Sequence, residues 1–202
     1  MLHISKRLLI VCEDLKSSKL YFESFKRDEK LKRDLASVSI EVVHPKDHPV
    51  GLVTAAKQKK LKAKRDRNPY SEIWIVLDRD CHVNIDKAFN MAYGNGFRIA
   101  LSVICFEYWI LLHFEKTCRA FTKCDDTIDY IRKKHFADYL KSTNVYADLK
   151  DRTKNAIING EWSVNQNKND IDRGCKLYDL AAYTDVHILA ERLLYPKDFI
   201  LK

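Results

Sequence analysis

The sequence predicts an α/β protein: a mostly parallel sheet flanked by helices, followed by a helical C-terminal extension. Two apolar runs of strand length, residues 8–12 (LLIVC) and 73–77 (IWIVL), lack the alternation of a half-exposed strand and read as strands buried on both faces. Strand-like and helix-like segments alternate over the first 120 residues, the pattern of right-handed crossovers between parallel strands. Only 5 Gly and 4 Pro occur among 202 residues, too few tight turns for an all-β sandwich.

The elements follow in order. After the first strand, Ser17 or Ser18 caps a helix carrying Leu20, Phe22, Phe25 and Leu31 to about Leu35. Residues 38–43 alternate as a second strand. Residues 44–49 form a turn, and Pro49 suits the first turn of a helix that runs to about Arg67. Residues 68–70 break that helix before the second buried run. A helix from about Asn84 to Tyr93 stops at Gly94 and Gly96. Residues 97–103 make a fourth strand, and 106–114, apolar nearly all round, a buried helix. Beyond about residue 120 no clear strand is predicted. Residues 125–134, 145–158 and 185–194 read as helices, and 165–169 as a polar loop. The organisation expected is an α/β core over 1–120 with a mainly helical extension over 121–202 packed on it.

The chain is basic, with a net charge of +8. That balance favours a polyanionic partner, nucleic acid before an anionic membrane. Six cysteines include no C-x-x-C pair, which excludes a zinc ribbon or a thioredoxin motif. Cys12 and Cys105, in or beside apolar runs, read as buried thiols. The first apolar run is too short for a signal peptide's core and no stretch is long enough to span a bilayer, so a cytoplasmic location with reduced thiols is expected. No G-x-x-x-x-G-K phosphate loop occurs.

Glu13 directly follows the first buried strand, and Asp78 and Asp80 follow the third. Functional groups of open parallel sheets gather beyond the carboxyl ends of the strands. If the first and third strands are neighbours, three carboxylates converge there. Asp78 and Asp80, two apart, share one side while the chain stays extended. An all-oxygen set of this kind suits Mg²⁺ or Mn²⁺, and such an ion offsets both the mutual repulsion and the desolvation of the acids. The alternative is structural: an Asp-x-Asp that caps a helix or pairs with Arg79 or Lys87.

Four segments resemble the RloB-like family. Residues 8–13 with Tyr21-Phe22 resemble its opening LIVCEG…YF, residues 73–80 (IWIVLDRD) its VWxVFDRD, residues 105–114 (CFEYWILLHF) its CFExWLLLHF, and residues 184–187 (TDVH) a late T-x-V-H. The resemblance implies a Toprim-like fold with the acidic site at Glu13, Asp78 and Asp80. It also implies Mg²⁺-dependent chemistry on nucleic acid, a place in phage defence, and a nearby ABC-type ATPase as partner. Asp14-Leu15 stands where the family has Gly-Glu, so the second acidic group is displaced by one position and Asp14 is the candidate to substitute for it.

Glu107 begins the apolar helix near the same sheet edge and is a candidate catalytic or capping carboxylate. His113, about 600° round that helix, reads as a core or partner histidine, and His82 as an exposed loop histidine or as a base or ligand. Lys57, Lys59, Lys60, Lys62, Lys64, Arg65 and Arg67 crowd eleven residues, leaving a stripe of Val53, Ala56 and Leu61. They read as a phosphate-backbone track that delivers a polyanion straight to the acidic edge, or as a solvated face. Trp74 and Trp109 are expected to be buried, and Trp162 to pack or to stack on a base. Two functions remain open: a Mg²⁺-dependent nuclease, and a non-catalytic Toprim-shaped subunit that binds nucleic acid or docks on an ATPase. Homo-oligomers fit either.

Overall fold

The computed structural model describes residues 6–31, 38–79 and 84–196. Four strands form one all-parallel sheet in the order β2-β1-β3-β4: β1 (Lys6–Cys12), β2 (Val38–Val43), β3 (Glu72–Asp78) and β4 (Arg98–Ser102). The α/β architecture is the one expected, and β1 and β3 are neighbours. The chain leaves β1 towards β2, then returns to β3 on the other side of β1. The crevice between the tips of β1 and β3 is therefore the sheet's topological switch point, where open α/β folds bind ligands.

Both runs are two-faced strands, as their unbroken apolarity predicts. Leu8, Ile10 and Cys12 join Trp74 and Val76 in one core, while Leu9 and Val11 join Ile73, Ile75 and Leu77 in another. Helices α2 (Pro49–Arg65) and α3 (Ile85–Gly94) cover the second face. Helix α1 (Ser18–Arg27) packs Tyr21, Phe22 and Phe25 on the first, beside α4 (Glu107–Leu112). The extension supplies α5 (Cys124–Lys134), α6 (Tyr146–Leu149), α7 (Thr153–Gln166), α8 (Lys168–Asp172) and α9 (Val186–Leu194). Residues of α5, α7 and α9 lie in the same core as β1 and β3, so α4 is enclosed by its own extension. That explains a helix buried at every position and the burial of Trp109.

Several boundaries differ from those expected, each for a physical reason. Helix α1 ends at Arg27 because Asp28 turns the chain: its carboxylate accepts the Lys30 N–H at 2.8 Å, a local alternative to the helix ladder. The stretch 145–158 is not one helix, since a 3₁₀ turn at Lys150–Arg152 separates α6 from α7. The polar segment 165–169 is largely helical. Asn167 there donates its amide to the Ser163 and Ala182 carbonyls, both at 2.9 Å, and so ties α7 to the chain before α9. Leu61 is 53% exposed: at about 100° per residue it sits roughly 140° from Ala56, and Ala63 takes its place in the stripe.

Other local signals agree with the structure. Pro49 opens α2. Gly96, at φ +71°, ends the turn after α3 with Gly96 N–H to Tyr93 O and Phe97 N–H to Ala92 O, both 2.9 Å, the paired bonds of a glycine-terminated helix. The TDVH segment covers the outer edge of β4. Thr184 bridges to Ser102, and the Val103 N–H donates to the Tyr183 carbonyl at 2.8 Å.

Candidate metal centre at the strand tips

Parallel register sets the geometry. Cys12 pairs with Val76, so the next residue of β1's chain, Glu13, stands beside the last residues of β3. Its N–H donates to the Val76 carbonyl at 3.1 Å, and its carboxylate accepts the Asp78 N–H at 2.9 Å. Asp80 and His82 lie outside the described residues.

Burial pushes the Asp78 carboxyl well above its ordinary range, and the charges of Glu107 and Glu13 push it further; the Lys141 ammonium opposes them. The switch point is thus a desolvated concentration of negative charge. The donors that Glu13 and Asp78 bring to it are oxygens, which fits Mg²⁺ or Mn²⁺.

Asp14 does not substitute for the displaced acidic group. Its carboxylate accepts the backbone N–H of Ser17 and, at 3.2 Å, that of Ser18. It is the side chain that caps α1, a role the sequence suggested for Ser17 or Ser18, neither of which makes a side-chain cap. Ser17 instead donates its hydroxyl to Glu107 Oε1 at 2.7 Å.

Glu107 is fully buried. Tyr139 donates to its Oε1 at 3.1 Å, the Cys124 thiol donates to its Oε2 at 3.2 Å, and Lys141 Nζ stands 3.6 Å from Oε2. Burial alone would raise this carboxyl, but Lys141 and the hydroxyl and thiol donors outweigh it and hold it below its usual range. Glu107 is therefore an ionised acid whose field reaches Asp78, while its own oxygens serve a second cluster. Among the described residues, only Cys105, Glu107 and Cys124 form a group of three potential metal ligands, with donor atoms within 4.8 Å of one another.

The backbone ahead of Glu107 is strained. Ile104 has φ +71°, a left-handed conformation that costs a β-branched residue about 1–3 kcal/mol. The turn it makes joins β4 to Cys105 and Glu107. His44, after β2, reaches the same edge, where its Nδ1 donates to the Cys12 carbonyl at 3.1 Å.

The basic helix lies elsewhere. α2 starts beyond the carboxyl end of β2 and finishes ahead of the amino end of β3, so its cationic half points away from the acidic crevice. Lys60 donates to the Asn95 carbonyl at 2.7 Å and Lys59 pairs with Glu41 at 2.6 Å. Lys57, Lys62, Lys64, Arg65 and Arg67 are exposed. The expected track straight into the acidic edge is not the arrangement found.

Arg79 is one of the two pairing partners that the structural alternative offered, and its side chain is engaged elsewhere. Its Nε donates to the Tyr178 carbonyl at 2.9 Å. His113 is a core residue, bonded to the Trp109 carbonyl at 3.0 Å and to Tyr21 Oη at 3.3 Å. Trp162 sits on α7 with Lys116 Nζ 5.1 Å over its ring. Sequence reasoning missed Ser17, Cys124, Tyr139 and Lys141 as members of the edge. None stands in a motif, and only the folding of the extension over α4 brings them there.

An open parallel α/β protein with acids at its switch point is the class that fold and site define. The RloB-like protein family model matches residues 8–193, and the chain belongs to that family. No curated protein matches. Among solved structures, a sigma-54 interaction domain protein from Enterococcus faecalis is similar at 9% identity, over 65% of this chain and 90% of that one, with a TM-score of 0.25. Among the described residues no helix is long and apolar enough to cross a membrane.

Proposed function

We propose that the chain is a Mg²⁺- or Mn²⁺-dependent phosphodiesterase acting on nucleic acid, a cytoplasmic effector of phage defence. The observation that supports it is the pairing of Glu13 and Asp78 at the switch point, with the Asp78 carboxyl driven upward by burial and by neighbouring acids. Buried carboxylates brought this close together favour a small hard cation.

Glu13 and Asp78, with Asp80, would hold the ion. When bound, it would supply positive charge to polarise a phosphate oxygen. The hydrogen bond from Asp78 N–H fixes one oxygen of Glu13 and so orients that carboxylate. Glu107 acts at one remove, by keeping the local potential negative. The exposed cations of α2 would hold nucleic-acid backbone at a distance from the acids, which suits a long substrate rather than a mononucleotide.

The test is Asp78→Asn against the unaltered chain, on DNA and on tRNA with Mg²⁺ or Mn²⁺, alongside melting curves. Cleavage lost with the melting temperature preserved is the expected result. Full cleavage by the variant rejects the mechanism.

A second reading, a non-catalytic subunit that binds nucleic acid or docks on an ABC-type ATPase, is favoured by one observation: Asp14 is committed to capping α1 and supplies no extra acid. It prevails if the unaltered chain cleaves neither substrate, alone or with that ATPase.

A further inference from the structure

Cys105, Glu107 and Cys124 occupy neighbouring positions that no sequence pattern joins. Cys105 follows the strained Ile104, Glu107 opens α4, and Cys124 opens α5. Both cysteines are free thiols. Their sulfurs and the Glu107 carboxylate lie within 4.8 Å of one another, and Cys124 Sγ is 3.2 Å from Glu107 Oε2. Around a tetrahedral Zn²⁺, with bonds of about 2.3 Å to sulfur and 2.0–2.2 Å to oxygen, sulfurs stand roughly 3.8 Å apart. The donors need to close by about an ångström or less.

The carboxylate is already aimed. Ser17 and Tyr139 both donate to Oε1, at 2.7 and 3.1 Å, which leaves Oε2 turned towards the thiol. Hydrogen bonds of that kind orient ligands in metal sites. A cation already belongs at this place, since the Lys141 ammonium stands 3.6 Å from Oε2 and 3.5 Å from Cys124 Sγ. Lys141 is half-buried and reaches in from the loop between α5 and α6, so it can swing out as another cation enters.

We propose that Cys105, Cys124 and Glu107 form a second metal site, specific for Zn²⁺ over Mg²⁺, distinct from the oxygen-ligated site of Glu13 and Asp78. Thiolate sulfur selects the softer ion. Three protein ligands leave a fourth position open, as in zinc sites that bind a water or a substrate group. Binding requires that both thiols release their protons and that Lys141 cede its places beside Glu107 and Cys124.

The test uses the full chain, kept reduced, stripped with chelator and titrated with Co²⁺. One equivalent should produce thiolate-to-cobalt absorption in the near-ultraviolet and the visible bands of tetrahedral cobalt. Zn²⁺ should displace it and excess Mg²⁺ should not. Cys105→Ser and Cys124→Ser should each abolish the absorption, with melting curves confirming that both variants fold. Cys118→Ser and Cys175→Ser should keep it. Lys141→Met should tighten Zn²⁺ binding by about tenfold, the scale of removing one competing charge from a partly buried site. Absence of the absorption, its survival in Cys105→Ser or Cys124→Ser, or unchanged affinity in Lys141→Met overturns the proposal. Asp78→Asn should leave the cobalt spectrum intact, so this site and the phosphodiesterase reading fail independently.

Discussion

Glu13 and Asp78, 65 residues apart, are tied by a hydrogen bond from the Asp78 N–H to the Glu13 carboxylate at 2.9 Å. The bond joins the tips of β1 and β3, and it fixes the acid that follows one strand against the acid that ends the other.

Glu13 therefore has two separable roles. Glu13→Gln keeps an acceptor for the Asp78 N–H but removes a charge, and should change unfolding free energy by less than about 1 kcal/mol. Glu13→Ala leaves that N–H without its acceptor and should cost about 1–3 kcal/mol. Both should weaken any rise in melting temperature produced by Mg²⁺. Urea midpoints and melting curves with and without the ion check the two effects separately.

Helices α7 and α9 approach closely at Gly160. A Cβ built there would stand 2.7 Å from His187 Cβ, and His187 is itself buried. Gly160→Ala should therefore destabilise the chain, despite alanine's better helix propensity. Overpacking costs about 1–3 kcal/mol and the propensity gain returns about 1 kcal/mol at most. The melting temperature should fall by a few degrees, and Gly160→Ala with His187→Ala should recover part of it.

Stability should respond to pH through three buried groups of opposite sign. Burial lowers His113 and His187 from 6.5 to about 4. The unfolded chain thus takes up two protons below pH 6.5 that the folded chain refuses, and stability falls as pH drops towards 4. Burial raises Asp185 from 3.8 to about 7, against the Leu101 N–H and the Tyr183 hydroxyl that favour its charge. The folded chain accepts this proton before the unfolded chain does, so Asp185 stabilises as pH falls through 7 and offsets one histidine. Asp185→Asn should steepen the acid loss by up to about 1.4 kcal/mol per pH unit between pH 7 and 4. Urea unfolding at half-unit pH steps measures that slope.

The cations of α2 divide by their partners. Lys59 is engaged with Glu41, whereas Lys62 and Arg65 are exposed. Lys62→Ala and Arg65→Ala should weaken nucleic-acid binding and lower the dependence of log K on log salt by about 0.9 for each duplex phosphate that is no longer neutralised. Lys59→Ala should change that slope less. Fluorescence anisotropy across a salt series distinguishes them, and equal slopes for all three would mean that α2 does not meet the phosphate backbone.

The sequence by itself determined the sheet and its acidic edge. Continuous apolar runs at 8–12 and 73–77 can be buried only in a sheet covered on both faces, so the residues that end them, Glu13 and Asp78, fall at strand tips by necessity. Pro49 and Gly96 marked their helix ends because each restricts or permits a backbone angle locally. What lies beyond a single segment was decided by tertiary structure. Strand order made β1 and β3 neighbours, and helix direction carried the cations of α2 away from the acids. The extension closed over α4 to bring Tyr139, Lys141 and Cys124 to Glu107. Local propensities depend on residues a few positions apart. With Ser17, that cluster is assembled from residues separated by up to 124 positions, whose proximity comes from burying a shared apolar face and leaves no periodic trace in the chain.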